Sequence, residues 1–231
     1  MIYITGKMNG EQERFFDDDT IRNLTAEDYL IICGAFEFMM YAGNTIAGIV
    51  ENAFLDELEQ MPYTVLFVDG VNENFDLLNA YPVEMWKGGK VHKIRNDIIH
   101  LMRGQVFEIE GKTIFTFGGA TSIDKYIRTE GLSWWRQELP TYDDLDEADR
   151  NLKRYNRKVD YIVTHSCDER ALYQLPLFDR PQKLRVQLDN VFLSNFENSV
   201  KYKHWYFGHY HVDCKISDRK TALYQEIIAL E

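Results

Sequence analysis

Two histidines near the carboxyl end of the chain are the residues whose type and spacing most directly indicate chemistry. His209 and His211 follow an apolar run that stops at Gly208, as expected for a buried strand that ends in a turn. In an extended chain, side chains two residues apart share one face. Two imidazoles so close together could bind one metal ion, two adjacent metal ions or a phosphate. The alternative is a pair of surface histidines in a hairpin, and this stretch alone leaves both interpretations open.

Four apolar runs elsewhere in the chain predict buried β-strands that end at polar or glycine-rich loops. They are residues 1–5, 29–33, 64–68 and 159–163, and the last is followed closely by His165. Strands that are apolar throughout are buried on both faces, which is typical of an α/β sheet. The loops that follow such strands gather at one edge of the sheet, where ligands usually bind.

The middle of the chain has a different pattern, which predicts successive antiparallel strands. These strands are expected at residues 98–102, 106–109 and 114–117. His92, His100 and His204 lie in β-like runs, so we expect them to be structural. Cys167 follows His165 closely and could form a nucleophile pair with it, but the sequence shows no third group to orient that pair.

Three segments have the periodicity of amphipathic helices. In the first, the residues expected to face the core are Ile46, Ile49, Val50, Ala53 and Phe54. The second is predicted to begin at a capping box of Thr141 and Asp144, with Leu145, Ala148 and Leu152 facing inward. In the third, the inward residues are expected to be Leu184, Leu188, Val191 and Phe192.

The chain is acidic and contains enough apolar residues for a large core. Its 231 residues include 37 Asp and Glu against 26 Lys and Arg, for a net charge of -11. This balance disfavours nucleic acid and anionic membranes as partners, although it still allows a local basic pocket. With 45% hydrophobic residues, residues 1–231 are expected to form a single domain.

The cysteines and the start of the chain predict the compartment. The three cysteines are scattered, so we expect reduced thiols. No basic leader opens the chain and no long apolar segment follows, so we expect neither a signal peptide nor a membrane span. These features predict a cytoplasmic protein.

In chain order, the strand-end loops resemble the motifs of the calcineurin-like metallophosphoesterases. Members of that family carry G-D-x-H-G, G-D, G-N-H-E, a histidine after a late strand, and G-H-x-H. The corresponding loops here are Gly6-Lys7-Met8-Asn9-Gly10, Gly34-Ala35, Gly70-Val71-Asn72-Glu73, His165 and Gly208-His209-Tyr210-His211. The resemblance is to a bacterial and phage branch of the family. It implies an α/β fold, a four-layer αββα sandwich of two mixed β-sheets flanked by helices.

The resemblance also implies a site from which most chemistry has been lost. In the family, two divalent cations bridged by an aspartate activate a water and bind the phosphate, and a histidine protonates the leaving group. By resemblance, Lys7 and Asn9 stand here for the first motif's aspartate and histidine. Ala35 replaces the bridging aspartate, while Val71 and Asn72 replace the asparagine ligand and the catalytic histidine. We therefore expect no catalytic residue at these positions.

The resemblance leaves His165, His209 and His211 as residual metal ligands. Imidazoles without carboxylates suit Mn²⁺ and Mg²⁺ poorly, because these ions favour oxygen ligands. The Lys7 ammonium would lie near the first cation position, and like charges about 4 Å apart repel by about 4 kcal/mol at an effective dielectric near 20. We expect no cofactor, or at most one weakly bound divalent metal ion (Mn, Zn or Ni).

The favoured hypothesis is an inactive pseudoenzyme that binds a phosphorylated small molecule or a macromolecular partner such as a protein. Its ligand-binding residues would be Lys7, Asn9, Asn72, His165, His209, His211 and Arg128. One alternative is a residual phosphoesterase with a single metal ion at His165 and His209, and another is a metal-free hydrolase that relies on Lys7 and a histidine. In a third, Lys7 pairs with Glu37 or Asp69 and the pocket is inert.

Overall fold

The computed structural model describes residues 1–176 and 185–231. Within these residues the chain is an α/β structure in which two mixed β-sheets pack face to face and helices cover the outer face of each sheet. The expected αββα order of layers is confirmed. No described helix is long and apolar enough to cross a membrane.

Among the described residues, thirteen strands make up the two sheets. In chain order they are β1 (Ile2–Thr5), β2 (Tyr29–Ile32), β3 (Thr64–Phe67), β4 (Val83–Trp86), β5 (Gly89–Arg95), β6 (Ile98–Leu101), β7 (Gln105–Ile109), β8 (Lys112–Phe117), β9 (Tyr161–Thr164), β10 (His204–Phe207), β11 (Cys214–Ser217), β12 (Lys220–Ala222) and β13 (Ile227–Ala229). The first sheet has the order β13-β1-β2-β3-β6-β5-β4, and the second has the order β11-β12-β10-β9-β8-β7.

The centre of each sheet is parallel, which is what positions the loops of the site. In the first sheet β1, β2, β3 and β6 run in one direction. In the second sheet β8, β9, β10 and β12 do the same. The apolar runs predicted as buried strands are therefore strands of these parallel sections.

Seven α-helices flank the sheets in the part of the chain that the structure describes. They are α1 (Glu13–Asp17), α2 (Asp19–Arg22), α3 (Ile46–Glu59), α4 (Phe75–Leu78), α5 (Tyr142–Arg154), α6 (Glu169–Gln174) and α7 (Leu188–Ser199). Helices α1 to α4 contribute to the core on the outer face of the first sheet, and α5 to α7 contribute to the core on the outer face of the second. Between the sheets lies a third core, which includes Ile4, Ile31, Leu66, Val163 and Tyr206.

The capping box predicted for the second amphipathic helix is confirmed at the start of α5. The Thr141 hydroxyl accepts from the Asp144 backbone N–H, and the Asp144 carboxylate accepts from the Thr141 backbone N–H. Ala148 and Leu152 are fully buried, as expected for the inward face of this helix.

The inward face predicted for α3 is wrong over its first turns. Ile46, Ile49 and Val50 are exposed, with Ile46 at 84%. The backbone of Gly48 lies against the Ala42 carbonyl so closely that a Cβ there would come within 2.1 Å of that oxygen. Because Gly48 defines the buried side, the branched residues around it point away, and the predicted Ala53 is also exposed. Phe54 is buried as predicted, and Leu55 and Leu58, which were not predicted, complete the inner face.

The inward face predicted for α7 also needs correction. Leu188 and Val191 are exposed, while Phe192 is buried as expected. Asn190 takes an inner position, because its side-chain amide donates to the Ser166 hydroxyl and to the Cys167 carbonyl. Leu184, predicted for the same face, lies outside the described residues.

One strand pairing in the middle of the chain differs from the prediction. Strand β6 does not adjoin β7; it belongs to the first sheet, parallel to β3 and antiparallel to β5. The sequence analysis predicted no strand at β4 and noted only that His92, which lies in β5, belongs to a β-like run; β5 is the antiparallel neighbour that β6 requires. The hairpin of β7 and β8 is confirmed.

Candidate functional site

Five loops meet at the carboxyl ends of the parallel strands. We refer to residues 6–10, 34–37, 70–74, 164–165 and 208–211 as the five-loop site. Backbone hydrogen bonds join these loops directly: Asn9 N–H donates to the Ala35 carbonyl at 2.8 Å, and Gly208 N–H donates to the His165 carbonyl at 3.0 Å. The structure therefore brings all five loops predicted from the sequence to one place.

His165 lies at the centre of this arrangement and is fully buried. Its Nδ1 is 2.7 Å from the Cys33 carbonyl oxygen. A carbonyl only accepts, so Nδ1 carries the proton and Nε2 carries the lone pair. Nε2 has no hydrogen-bond partner among the described residues. Burial lowers the pKa of His165 to about 3, with a smaller contribution from the Lys7 charge, so the ring is neutral at neutral pH.

Two glycines make room for the His165 ring. A Cβ at Gly34 would lie 2.3 Å from His165 Nδ1, and a Cβ at Gly70 would lie 2.9 Å from His165 Cε1. Real Cβ atoms do not approach so closely, so any larger residue would displace the ring. These glycines are needed for close approach, as expected at a site where loops converge.

Non-glycine residues with positive φ cluster in these loops. They are Asn9 (54°), Ala35 (48°), Glu37 (58°), Asn72 (64°), His209 (69°) and His211 (57°). This left-handed conformation is unfavourable for residues other than glycine, and it concentrates at functional sites. The backbone is therefore held in a strained conformation at the positions from which site side chains project.

His209 and His211 do not share one face of an extended chain, because both are left-handed. The His209 ring lies 4.9 Å from the His165 ring, centroid to centroid. The His211 ring stacks on Tyr224 at 4.9 Å with an interplanar angle of 7°. The structure thus pairs His209 with His165 and places His211 against a different loop.

Lys7 is almost completely buried, at 6% exposure. Burial raises the pKa of Glu37, and the Lys7 charge opposes that rise; the pKa of Asp124 is lowered chiefly by its hydrogen bond to Arg128, with a smaller contribution from Lys7. Asp69, the other partner considered for Lys7, is bound instead by Arg103 at 2.6 Å and by His100 at 3.3 Å. Of the two partners considered, Glu37 is the one whose pKa the Lys7 charge affects.

Two glutamates of the site hold protons near neutral pH. Burial raises the pKa of Glu37 to about 7, against the opposing effects of Lys7 and of the amide of Asn72, 3.5 Å away. Burial and the nearby Glu37 raise the pKa of Glu73 to about 8, although its carboxyl group accepts from the backbone N–H groups of Phe36 and Glu37. The sequence analysis named Glu37 only as an alternative partner for Lys7, and it listed Glu73 only as part of the third loop.

The charge of Arg128 also acts on Glu37, where it opposes the rise in pKa that burial causes. The guanidinium pairs with Asp124 at 2.8 Å and donates to the Ser133 carbonyl at 3.1 Å. Arg128 is therefore held in place near Lys7 rather than free in solvent. Cys167 is fully buried and burial raises its pKa well above the ordinary value, which makes a thiolate nucleophile unfavourable.

The donor set does not suit a pair of divalent cations. Lys7, Ala35 and Val71 present an ammonium, a methyl and an isopropyl group where oxygen ligands would be required. Among the residues described, no group of three or more His, Cys, Asp or Glu could hold a metal ion. His165 and His209 remain as two neighbouring imidazoles, and a single ion there would take its other ligands from water.

Comparison with known proteins gives little further information. No family model and no curated protein matches the chain. The chain is similar to a solved structure, phosphopantetheinyl hydrolase from Mycobacterium tuberculosis, with 15% sequence identity, a TM-score of 0.37, and coverage of 96% of this chain and 87% of that one. So distant a similarity carries no argument about the site, which depends on the geometry above.

A buried charged network behind the site was also missed from the sequence. Arg103 binds the Asp69 carboxylate through Nε at 2.9 Å and Nη2 at 2.6 Å, and this charge together with His100 holds the pKa of Asp69 well below its usual range against the effect of burial. The sequence signal was present, since both residues closely follow the apolar runs of β3 and β6. Their pairing depends on β3 and β6 being neighbours, which the sequence pattern did not predict.

Proposed function

We propose that this chain is a calcineurin-like phosphoesterase scaffold that has lost metal-dependent hydrolysis and binds a phosphorylated ligand at the five-loop site. The observation that carries the proposal is the buried Lys7 ammonium at a strand end, where the family resemblance requires an anionic metal ligand. The left-handed backbone at Asn9, Ala35 and Asn72 supports it. Loop conformations suited to a site are present although the metal-binding side chains are absent.

The charges near Lys7 favour an anion. Lys7 and Arg128 supply two positive charges, and Arg128 is already paired with Asp124. Glu37, with a pKa of about 7, loses its negative charge as the pH falls below neutrality. A lysine ammonium binds phosphate as a point charge, and the side-chain amides of Asn9 and Asn72 can donate to phosphate oxygens.

Turnover is not expected from this set of residues. Phosphoester hydrolysis in the family relies on metal ions to generate the nucleophile and to neutralise the phosphate oxygens. His165 is neutral at neutral pH and its Nε2 accepts rather than donates, so it is unsuited to protonating a leaving group. This also disfavours a metal-free hydrolase that pairs Lys7 with His165.

Calorimetry with phosphate ligands tests the proposal. A cyclic nucleotide, a phosphodiester and inorganic phosphate should be titrated into the wild type and into Lys7→Met, which keeps the length of the side chain and removes its charge. Lys203→Met is a matched control. Lys203 is 70% exposed and pairs with Asp160. It precedes β10, at the end of that strand opposite to the five-loop site. We expect binding that is lost in Lys7→Met alone; no heat with any of these ligands would refute the proposal.

A second candidate function, hydrolysis with a single metal ion, is favoured by one observation. A metal-bound histidine usually donates its other ring N–H to a carbonyl or carboxylate, and His165 does so to Cys33. Its buried Nε2 lone pair could bind Zn²⁺ or Ni²⁺ together with His209. Elemental analysis and hydrolysis of an aryl phosphodiester, each compared between the wild type and His165→Ala, test this candidate.

A further inference from the structure

A cleft on the first sheet, separate from the five-loop site, contains a chain of four polar side chains. Arg103 binds Asp69, and His100 Nε2 lies 3.3 Å from Asp69 Oδ1. His100 Nδ1 in turn lies 3.1 Å from His92 Nδ1. His92 and His100 face one another on the antiparallel strands β5 and β6. The cleft has a volume of about 300 Å³ and both rings line it.

The contacts fix the positions of the protons when both rings are neutral. The Asp69 carboxylate only accepts, so His100 Nε2 carries a proton and His100 Nδ1 carries a lone pair. The Nδ1–Nδ1 contact then requires His92 Nδ1 to donate. His92 Nε2 is left with a lone pair, and no hydrogen bond to it is made within residues 1–176 and 185–231. Burial lowers the pKa of His92 to about 4, in keeping with a neutral ring.

The remaining walls of the cleft indicate the class of ligand. The cationic side chains that line the cleft are already paired with carboxylates. Arg103 binds Asp69 and Asp144, and Lys90 binds Glu147 at 2.8 Å. A ligand without net charge therefore fits better than a phosphate. Apolar surface comes from Phe75, Met102 and Leu139. The volume is at the lower end of small-molecule sites.

We propose that this cleft binds a neutral nitrogen heterocycle of nucleobase size, whose N–H or NH₂ group donates to His92 Nε2. The apolar faces of such a ring lie against the apolar wall, and its polar edge meets the histidine. The Asp69–His100–His92 chain keeps the accepting nitrogen in place, because each proton in it is held by the next group. The ligand does not depend on Lys7.

Titration of uncharged nucleosides tests the proposal, since they carry no phosphate for the five-loop site. Adenosine, guanosine, cytidine and uridine should each be added to the full chain while the ring nitrogens of ¹⁵N-labelled histidine are followed by NMR. We expect at least one to bind and to shift the His92 Nε2 signal. His92→Phe should weaken that binding about tenfold, because a phenyl ring cannot accept a hydrogen bond.

Two control variants show whether a nucleoside binds in this cleft or elsewhere on the chain. Lys7→Met should leave nucleoside binding unchanged, and so should His204→Phe, which alters a half-buried histidine in the other sheet. Absence of binding by all four nucleosides, wild-type affinity in folded His92→Phe, or loss of binding in Lys7→Met would overturn the proposal. If His92→Phe does not fold, an unchanged His92 Nε2 signal at saturating nucleoside in the wild type would overturn it equally.

Discussion

His165 donates from Nδ1 to the carbonyl oxygen of Cys33 across 2.7 Å, and this bond joins the two sheets at the edge where the loops converge. His165 follows β9 of the second sheet, and Cys33 follows β2 of the first. The bond fixes the tautomer of the ring and leaves its other nitrogen as a buried acceptor. The loops that carry Lys7 and Glu37 belong to the same site as this fixed ring.

The first prediction concerns acid stability. The pKa of His165 is about 3 in the folded chain against 6.5 in the unfolded chain, so the unfolded state binds more protons between these values. The wild-type free energy of unfolding should therefore fall as the pH drops from 6.5 toward 3, by up to about 1.4 kcal/mol per pH unit. His165→Phe lacks this titration. The difference between its free energy of unfolding and that of the wild type should therefore shrink as the pH falls from 7. Urea unfolding at several pH values measures both proteins. Free energies of unfolding that fall in parallel for the wild type and for His165→Phe would contradict this prediction.

The second prediction concerns the pH dependence of ligand binding. A phosphodiester keeps one negative charge between pH 6 and 8, whereas Glu37, with a pKa of about 7, becomes neutral over that range as the pH falls. Affinity should therefore rise by roughly fivefold from pH 8 to pH 6. At pH 8, Glu37→Gln should bind more tightly than the wild type, and its affinity should rise less toward pH 6, because of these two carboxyl groups only Glu73, with a pKa of about 8, then titrates. Calorimetry measures both, and a wild-type affinity that rises with pH would exclude this role for Glu37.

The third prediction concerns the buried pair of Asp69 and Arg103. Asp69→Asn should lower the free energy of unfolding by about 3 kcal/mol, because it leaves the buried Arg103 guanidinium with only the more distant Asp144 carboxylate, 3.4 Å away, as a counter-charge. Adding Arg103→Met should recover part of this loss. The matched control is Asp149→Asn, which breaks surface pairs with Lys153 and Arg157 and should cost less than about 1 kcal/mol.

The pH dependence of that pair has a definite sign. The pKa of Asp69 is lowered in the folded chain, so its contribution to stability is complete above the unfolded pKa of 3.8 and is lost as the pH falls below it. Chemical unfolding at pH 7 and at acid pH gives the comparison. Equal losses in Asp69→Asn and Asp149→Asn at pH 7 would show that the buried pair contributes no more than an exposed one.

The fourth prediction is that metal binding can be restored. The backbone at positions 9, 35 and 72 is left-handed. Replacing Lys7→Asp, Asn9→His, Ala35→Asp, Val71→Asn and Asn72→His supplies the oxygen and nitrogen ligands of the family pattern. This variant should bind Mn²⁺ and hydrolyse an aryl phosphodiester, whereas Lys7→Asp alone supplies a single carboxylate and should do neither. Elemental analysis of a folded variant that contains no manganese would show that more than the side chains has been lost.

Local pattern was enough to predict the strands that carry the site, because each is short, apolar and ended by a loop. Helical periodicity was less informative. It chose the branched residues Ile46 and Ile49 for the inner face of α3, but the close approach of Gly48 to Ala42 turns that face outward. In α7, Asn190 lies inside because its amide satisfies the buried Ser166 hydroxyl and the Cys167 carbonyl. Helical periodicity depends only on the order of apolar residues along the chain, so it cannot predict such long-range contacts.

Within the site, the sequence predicted which loops meet but not how their side chains pair. His209 and His211 have a spacing that suggests one shared face, but left-handed φ angles separate them. The raised pKa values of Glu37 and Glu73 were not predicted, because nothing in the local sequence shows that burial will raise the pKa of each. Arg103 was missed because its partner Asp69 is distant in the chain.

The sequence by itself determined the α/β class and the loops at the strand ends, because these follow from residue type and local order. Only the tertiary structure decided the tautomer of His165, the proton held by Glu37 and the chain from Asp69 to His92. Those properties depend on burial and on contacts between residues far apart in sequence, and hydrogen bonds and charges act through space rather than along the chain.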